Sequence, residues 1–205
     1  MAFSGRIHIP QWIPKKTVSM IPVLKTPRLV LAPLSEKHLS RFVTVAGARD
    51  IADTTVSVPH PLTESAARDW IRNAMAESCD GRAAHFAVSI FPDEDTLVGY
   101  VAIKGIDRDH DEGELSFWLE SSYGGRGYAT EAAQAAMTFG FAELGLNRIC
   151  AYHMVRNPAS GRVLAKAGFQ QEGCLRQRAR KWGKYEDVLL WSRLREDRDA
   201  EGGSE

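Results

Sequence analysis

The chain has 205 residues, enough for one sizeable core, and its 44% hydrophobic and 25% charged content is that of a soluble globular domain. Lys plus Arg and Asp plus Glu stand at 26 each, so no net field recruits nucleic acid or an anionic membrane. No apolar run approaches the ~20 residues that span a bilayer, and the first residues hold no continuous apolar signal segment.

The odd, scattered set Cys79, Cys150 and Cys174 contains no Cys-x-x-Cys pair, which points to a reduced, cytoplasmic protein whose cysteines serve as small buried hydrophobes. Residues 1–26 contain Pro10, Pro14 and Pro22 with isolated apolar residues such as Trp12 and Ile13. They are expected to form an N-terminal extension to a domain at 27–195, and the polar residues 196–205 a disordered tail.

The first predicted strand is 28–32; Pro33 stops it, and Ser35 caps a helix with Leu39, Phe42, Val43 and Ala46 on one face. Residues 50–61 read as a loop, and Thr63 caps a second helix with Ala67, Trp70, Ile71, Ala74 and Met75 at spacings of three and four. Phe86, Val88 and Ile90 alternate as in a strand, a turn follows at 92–95, and a second strand runs over 97–106, with Gly99 marking a bulge. A further strand at 114–119 leads through a glycine-rich turn to a helix at 129–144, whose buried face is Ala133, Ala136, Met137, Gly140, Phe141 and Leu144. A strand at 148–153 follows, then a short helix that Asn157-Pro158 starts and Gly168 ends. Strands at 169–175 and 185–194 close the chain, joined by a basic connection with Arg176, Arg178, Arg180, Lys181 and Lys184. This order predicts an α+β domain: a mostly antiparallel mixed sheet of about seven strands, flanked by about four helices, with one strand–helix–strand crossover.

The stretch most informative for function is Gly124-Gly125-Arg126-Gly127-Tyr128-Ala129-Thr130, set between a strand and a helix. Glycines allow a tight turn with uncovered N–H groups, and the first helical turn adds donors that have no partner within the helix. Together they form an anion site favoured by the helix dipole, so a phosphate-bearing ligand is expected here. A nucleotide P-loop is excluded, because no Lys-Ser or Lys-Thr follows the glycines. A dinucleotide fingerprint also fails: Thr130 occupies its third glycine position, and no βαβ unit begins here.

The glycine stretch with Thr130-Glu131-Ala132, then Asn157-Pro158-Ala159-Ser160, then Val163-Leu164-Ala165-Lys166-Ala167-Gly168-Phe169, resembles the GCN5-related N-acetyltransferases (GNAT), and within them the ribosomal-protein alanine and serine N-acetyltransferase branch. The resemblance covers about residues 25–195. It implies a GNAT-like fold whose two central strands splay apart. It also implies acetyl-CoA as co-substrate, its pyrophosphate on the backbone amides of residues 124–130 and its pantetheine along Phe117, Trp118 and Leu119. Asn157 and Ser160 would reach the cofactor, with Arg126 and Arg162 as phosphate partners. Gly127 and Ala129 match the last two fixed positions of the family's loop pattern; Gly124 departs from it, standing where the branch has Trp and the wider family Gln or Arg.

Amine acetylation requires loss of a proton from the ammonium, donors for the oxyanion, and a proton for the departing thiolate. The family's usual acid, a Tyr seven residues after Asn157, is replaced by Leu164, which leaves Ser160 as the branch's donor. Glu114, His153 and bulk solvent are the alternatives for the base, and the Glu that some members carry falls at Ala179 here. The resemblance implies direct transfer from acetyl-CoA to a primary amine: a protein N-terminus, or alternatively an aminoglycoside or amino acid. A CoA-sensing module without catalysis is the alternative of another class. Acceptor choice is expected at 54–61 and 176–185; no metal, nucleic acid or membrane is involved, and the protein acts as a monomer or homodimer.

Overall fold

The computed structural model describes residues 21–197; the expected arm around Trp12 and Ile13 and the end of the polar tail lie outside the described residues. The elements in chain order are β1 (Leu24–Lys25), β2 (Leu29–Pro33), α1 (Leu39–Ala46), α2 (Arg49–Thr54), α3 (Glu64–Cys79), β3 (Ala84–Ile90), β4 (Leu97–Asp107) and β5 (Glu112–Leu119). They continue with α4 (Tyr128–Ala142), β6 (Arg148–Met154), α5 (Pro158–Lys166), β7 (Gln170–Lys181) and β8 (Lys184–Leu194). One sheet of eight strands takes the order β1-β2-β3-β4-β5-β6-β8-β7. Every neighbouring pair is antiparallel except β5 and β6. The strand beyond the expected seven is β1, where Leu24 and Lys25 pair with Leu31 and Val30.

Local chemistry accounts for most element boundaries. Thr63 Oγ1 accepts the Ala66 N–H at 3.2 Å to start α3, and Asn157 Oδ1 accepts the Ser160 N–H at 3.3 Å to start α5, with Pro158 in the first turn. Gly168 follows α5 at φ +86°. The pairing of β3 with β4 shifts by one residue at Val88/Ser89, opposite Gly99, so the bulge lies where the glycine is.

Four expectations need correction. Residues 49–54 form the helix α2 rather than loop, because burying Ile51 and Ala52 outweighs the low helix propensity of the threonines. Thr54 and Thr55 instead send their hydroxyls back to the Asp50 and Ile51 carbonyls at 3.0 and 2.8 Å. The basic connection is mostly strand, with β7 and β8 turning at Trp182-Gly183. Only Cys150 is buried, while Cys79 and Cys174 are exposed. Met75, expected on the buried face of α3, is exposed as well.

The sheet is covered on both faces, and β3 is accordingly buried on both sides instead of alternating. Against one face, α4 and α5 pack Ala133, Ala136 and Leu164 onto Phe86, Val101, Leu115 and Ile149. Against the other, α1–α3 pack Phe42, Ile51 and Ile71 onto Ala87, Tyr100, Ala102 and Trp118. A fully buried Leu, Ile or Phe contributes about 1.5–3 kcal/mol of transfer free energy, so the small residues of α4 give up area for proximity. At Gly140 a Cβ would stand 2.8 Å from Ile149 Cδ1, which is how closely the helix lies on the sheet.

The feature that positions the site is the limited pairing of β5 with β6. Their register runs from Glu112↔Arg148 to Leu115↔Ala151 and stops. Beyond it, β5 continues to Leu119 paired only with β4, and β6 continues to Met154 paired only with β8. The central strands therefore diverge at their C-terminal ends.

Candidate active site

A cleft of about 900 Å³ opens at this divergence, bordered by α2, α3, the ends of β5 and β6, the glycine loop and α5. It is lined by every site residue expected from the sequence except Arg126. The guanidinium of Arg126 lies 6.0 Å from the Tyr123 ring, outside the cleft wall.

The glycine loop is shaped by left-handed backbone at Gly125 (φ +75°) and at Gly127 (φ +81°), conformations that side chains with a Cβ rarely adopt. Gly127 is the N-cap of α4 and offers no side chain, so the N–H groups of Tyr128, Ala129 and Thr130 begin the helix without a side-chain cap. The one acidic residue of that turn, Glu131, is turned away. It accepts from Thr26 Oγ1 (2.6 Å), Arg28 N (3.1 Å) and Arg28 Nε (2.6 Å). Burial opposes its charged form, but these donors outweigh burial and hold Glu131 below the usual carboxylate range. Arg28 also donates from Nη1 to the Arg126 carbonyl at 2.9 Å and lies 4.7 Å from the Tyr128 ring centroid. The loop is thus tied to the start of β2, and the first turn of α4 borders the cleft while Glu131 is held by Arg28.

Across the cleft, Asn157 spends its carbonyl oxygen on capping α5, which sets Ser160 and Arg162 on the turn that faces the opening. His153 packs edge-on beneath α5: a Cβ on Gly161 would come within 2.7 Å of its Nε2, and Nδ1 contacts the Met154 carbonyl at 2.9 Å. Nε2 is buried and makes no hydrogen bond, so this imidazole is a packed group of the α5 face.

Glu114 is the third residue of β5, not its first, and pairs with Lys104 at 3.0 Å on the α1–α3 face. Tyr152 and Cys150 share that face across the parallel pair. Burial pushes the Cys150 thiol up to about 11 and the Tyr152 hydroxyl up to about 12, so both keep their protons near neutrality.

Sequence reasoning missed the inner wall. Trp70 and Glu77 of α3, His85 of β3, and Tyr100 and Lys104 of β4 all border the cleft. Tyr100 stacks on Trp118 at 5.6 Å, and Trp70 meets Tyr100 edge-on at 5.2 Å. The usable signal was strand alternation, which puts His85 and Ala87 on the face opposite Phe86 and Val88.

Of the two stretches expected to choose the acceptor, Thr54, Thr55, Val56 and Ser57 line the cleft, whereas Arg176, Arg178, Arg180 and Lys184 do not. The β7–β8 turn acts through α2 instead. Asp53 accepts from Trp182 Nε1 (2.6 Å) and Arg156 Nη1 (2.6 Å), which hold its carboxyl below the ordinary range, and Lys181 Nζ donates to the Val58 carbonyl at 2.9 Å. At the other end of α2, Ser121 donates to Asp50. This segment therefore roofs the cleft from the glycine-loop side to the β7–β8 turn.

Among the described residues no group of His, Cys, Asp and Glu could hold a metal ion, and no helix is long and apolar enough to cross a membrane.

Comparison with known proteins bears on the family and the fold. The acetyltransferase (GNAT) domain profile matches residues 28–170. An uncharacterized N-acetyltransferase p20 of Bacillus licheniformis is 33% identical over 138 residues, 67% of this chain and 77% of that protein. The ribosomal-protein-serine acetyltransferase of Escherichia coli is 34% identical over 102 residues, 49% of this chain and 56% of its own length. Among solved structures, a ribosomal L7/L12 alpha-N-protein acetyltransferase in complex with coenzyme A superposes with a TM-score of 0.76 at 21% identity, covering 84% of this chain and 98% of that one. The α+β fold with its mixed sheet is the fold of that structure, and the chain belongs to the GNAT family as an acyltransferase of the N-acetyltransferase type.

Proposed function

We propose that the cleft binds acetyl-CoA and that the protein transfers its acetyl group directly to the primary amine of a protein N-terminus. The observation that carries the cofactor assignment is the uncapped start of α4 behind Gly125 and Gly127, open to the cleft while Glu131 is held away from it by Arg28. In this reading, the backbone amides of Gly124, Gly125, Arg126, Gly127, Tyr128, Ala129 and Thr130 take the pyrophosphate. Arg162 and Arg126 supply charge to phosphate groups. Phe117, Trp118 and Leu119 offer the open backbone edge of β5 to the amide groups of pantetheine, and Asn157 orients the same arm.

Ser160, on the first turn of α5, gives the departing thiolate its proton. Glu114 receives the acceptor ammonium from the opposite face, its charge fixed in place by Lys104. The reaction needs no metal, and the reading places the protein in the cytoplasm.

A protein N-terminus is supported by the likeness to ribosomal-protein acetyltransferases. The roof formed by α2, pinned by Ser121 at one end and Trp182 at the other, favours a second reading in which the acceptor is a small amine. Two measurements test the function. At acetyl-CoA concentrations of 100 Kd the cofactor should add about 2.7 kcal/mol of stability; no thermal shift at millimolar acetyl-CoA would refute the cofactor assignment. A screen of peptides beginning with Ser or Ala, alongside aminoglycosides, amino acids and polyamines, read by release of free thiol, then identifies the acceptor class. Turnover confined to the small amines would overturn the protein N-terminus.

A further inference from the structure

The proposed function leaves open how the acceptor ammonium loses its proton. Glu114 is already engaged in an ion pair with Lys104 at 3.0 Å. The same face of the sheet carries a second, better-ordered arrangement. The small side chains of Ala102 and Ser116 are register partners and form its floor. Around them stand Lys104 and Glu114, two register pairs along, Tyr100 and Trp118, two pairs along on the other side, and His85, the register partner of Ala102 on β3. From above, α3 brings Trp70 and Glu77.

His85 Nε2 lies 3.0 Å from Glu77 Oε2, and His85 Nδ1 lies 2.7 Å from Tyr100 Oη. An ionised carboxylate only accepts hydrogen bonds, so Nε2 carries the ring proton and donates it to Glu77. Nδ1 is then bare and accepts from the Tyr100 hydroxyl. Tyr100 and His85 are both almost fully buried, while the Glu77 side chain remains 40% exposed. This order of hydroxyl, imidazole and carboxylate matches that used elsewhere to activate a nucleophile. Here both Tyr100 and His85 line the cleft into which an amine must come.

We propose that Tyr100, His85 and Glu77 form the proton acceptor for the incoming amine, with Tyr100 as the group that touches it. The inference rests on the N-acetyltransferase reading above and deepens it. An ammonium N–H bond breaks as its proton passes to Tyr100 Oη; the Tyr100 O–H bond breaks as its own proton passes to His85 Nδ1. The imidazolium that results is balanced by Glu77. The freed lone pair forms the C–N bond at the thioester carbonyl, and the C–S bond breaks with its electron pair on sulfur. The thiolate takes the second nitrogen proton through Ser160. After the acetylated product leaves, the imidazolium returns its Nδ1 proton through Tyr100 to water in the cleft. The balance is one amine acetylated, one CoA thiol and one proton released.

The surroundings fit this role. Burial lowers the proton affinity of His85, Glu77 raises it and Lys104 opposes it, so the ring is neutral and ready to accept at neutral pH. Burial, with the charges of Glu77 and Glu114, pushes the Tyr100 hydroxyl up, so it passes protons on without ionising. Trp70 closes over both rings, at 6.0 Å from His85 and 5.2 Å from Tyr100.

Two variants test the inference: Tyr100→Phe keeps the ring stacked on Trp118, and His85→Gln keeps a donor to Glu77 but cannot take a proton. With the best acceptor from the screen, each should lower kcat by about tenfold to a hundredfold, the range of a lost acid–base group. The KM for acetyl-CoA should be unchanged, and the limb at which the rate falls on acidification should move to that set by the acceptor amine's own ionisation. With methoxyamine, which arrives unprotonated at neutral pH, the same variants should lose little. Equal losses with both acceptors, or an acid limb left unmoved in the variants, would overturn the relay while leaving the acetyltransferase standing. Nitrogen-15 NMR of the histidines gives a readout independent of turnover: His85 should be neutral at neutral pH with its proton on Nε2, and a proton on Nδ1 would also overturn the relay. A screen without any turnover would refute the acetyltransferase reading and the relay with it.

Discussion

The two walls of the cleft are built on different principles. The wall around the glycine loop and α4 is made of backbone: left-handed glycines, a helix start without a side-chain cap, and an unpaired strand edge. The wall under α1–α3 is made of side chains: Trp70, Glu77, His85, Tyr100, Lys104 and Glu114, drawn from α3 and three adjacent strands. A backbone wall can hold a ligand by its repeating polar groups, whereas a side-chain wall can be changed one residue at a time. On the proposed function the first serves the invariant partner, acetyl-CoA, and the second the acceptor.

The comparison breaks most sharply at Gly127. Gly127→Val puts a β-branched residue at φ +81°, with its Cβ in contact with Arg28 Nη2 at 3.4 Å. The expected results are a strain cost of about 1–3 kcal/mol and a loss of acetyl-CoA affinity of about tenfold or more. Calorimetric titration with acetyl-CoA checks this, and wild-type affinity would mean that the loop is not the cofactor's seat.

Ser160→Ala separates chemistry from binding on the same wall. We expect kcat to fall by about tenfold, at the lower end for a positioned acid, with acetyl-CoA affinity unchanged. An unaltered kcat would remove Ser160 from the reaction.

Asp53→Ala works on the other wall alone. It removes the carboxylate that Trp182 and Arg156 share, and the KM for the acceptor should rise roughly threefold, the scale of a partly exposed ionic contact, while cofactor binding stays as it was. Steady-state kinetics in both substrates decides between this result and a change in both KM values.

The smallest effect is expected far from either wall. Arg148 and Ser192 hold Glu172 at about 2, below its ordinary 4.5. A depressed carboxyl stabilises the fold fully above the unfolded value and loses that contribution as pH falls through the folded one. Acid unfolding of Glu172→Gln should therefore differ from wild type above about pH 4.5 and converge with it towards pH 2. The difference should be modest, because the side chain is 36% exposed and its ion pair is screened.

How much of this was legible in the letters follows the same division. Gly125, Gly127, Asn157-Pro158 and Gly168 each do their work within a few residues, so their roles could be read locally. The site residues taken from the family motifs, Arg126 aside, also line one cleft. The helix α2 was hidden because Thr54 and Thr55 read as loop, and only the tertiary burial of Ile51 and Ala52 makes it a helix. His85 and Tyr100 stand fifteen residues apart, and their meeting depends on the β3–β4 register; no local pattern announces that their polar atoms face one another. Arg28 and Glu131 are separated by 103 residues, so the brace behind the glycine loop was equally invisible.

The divergence of β5 and β6 has a consequence for solubility. Sheets are vulnerable to aggregation at their edges, and the outer edges here are guarded: β1 has two residues, and β7 carries Glu172, Arg176, Arg178 and Arg180. Where β5 and β6 separate, the fold carries two more edges in the middle of the sheet, at 116–119 and 152–154. They face a slot between folded elements rather than open water, so another protein's strand has poor access while a thin, amide-bearing chain can enter. On the proposed function, the fold thus keeps a half-finished strand pairing inside itself, shielded from neighbouring proteins, for a small molecule to complete.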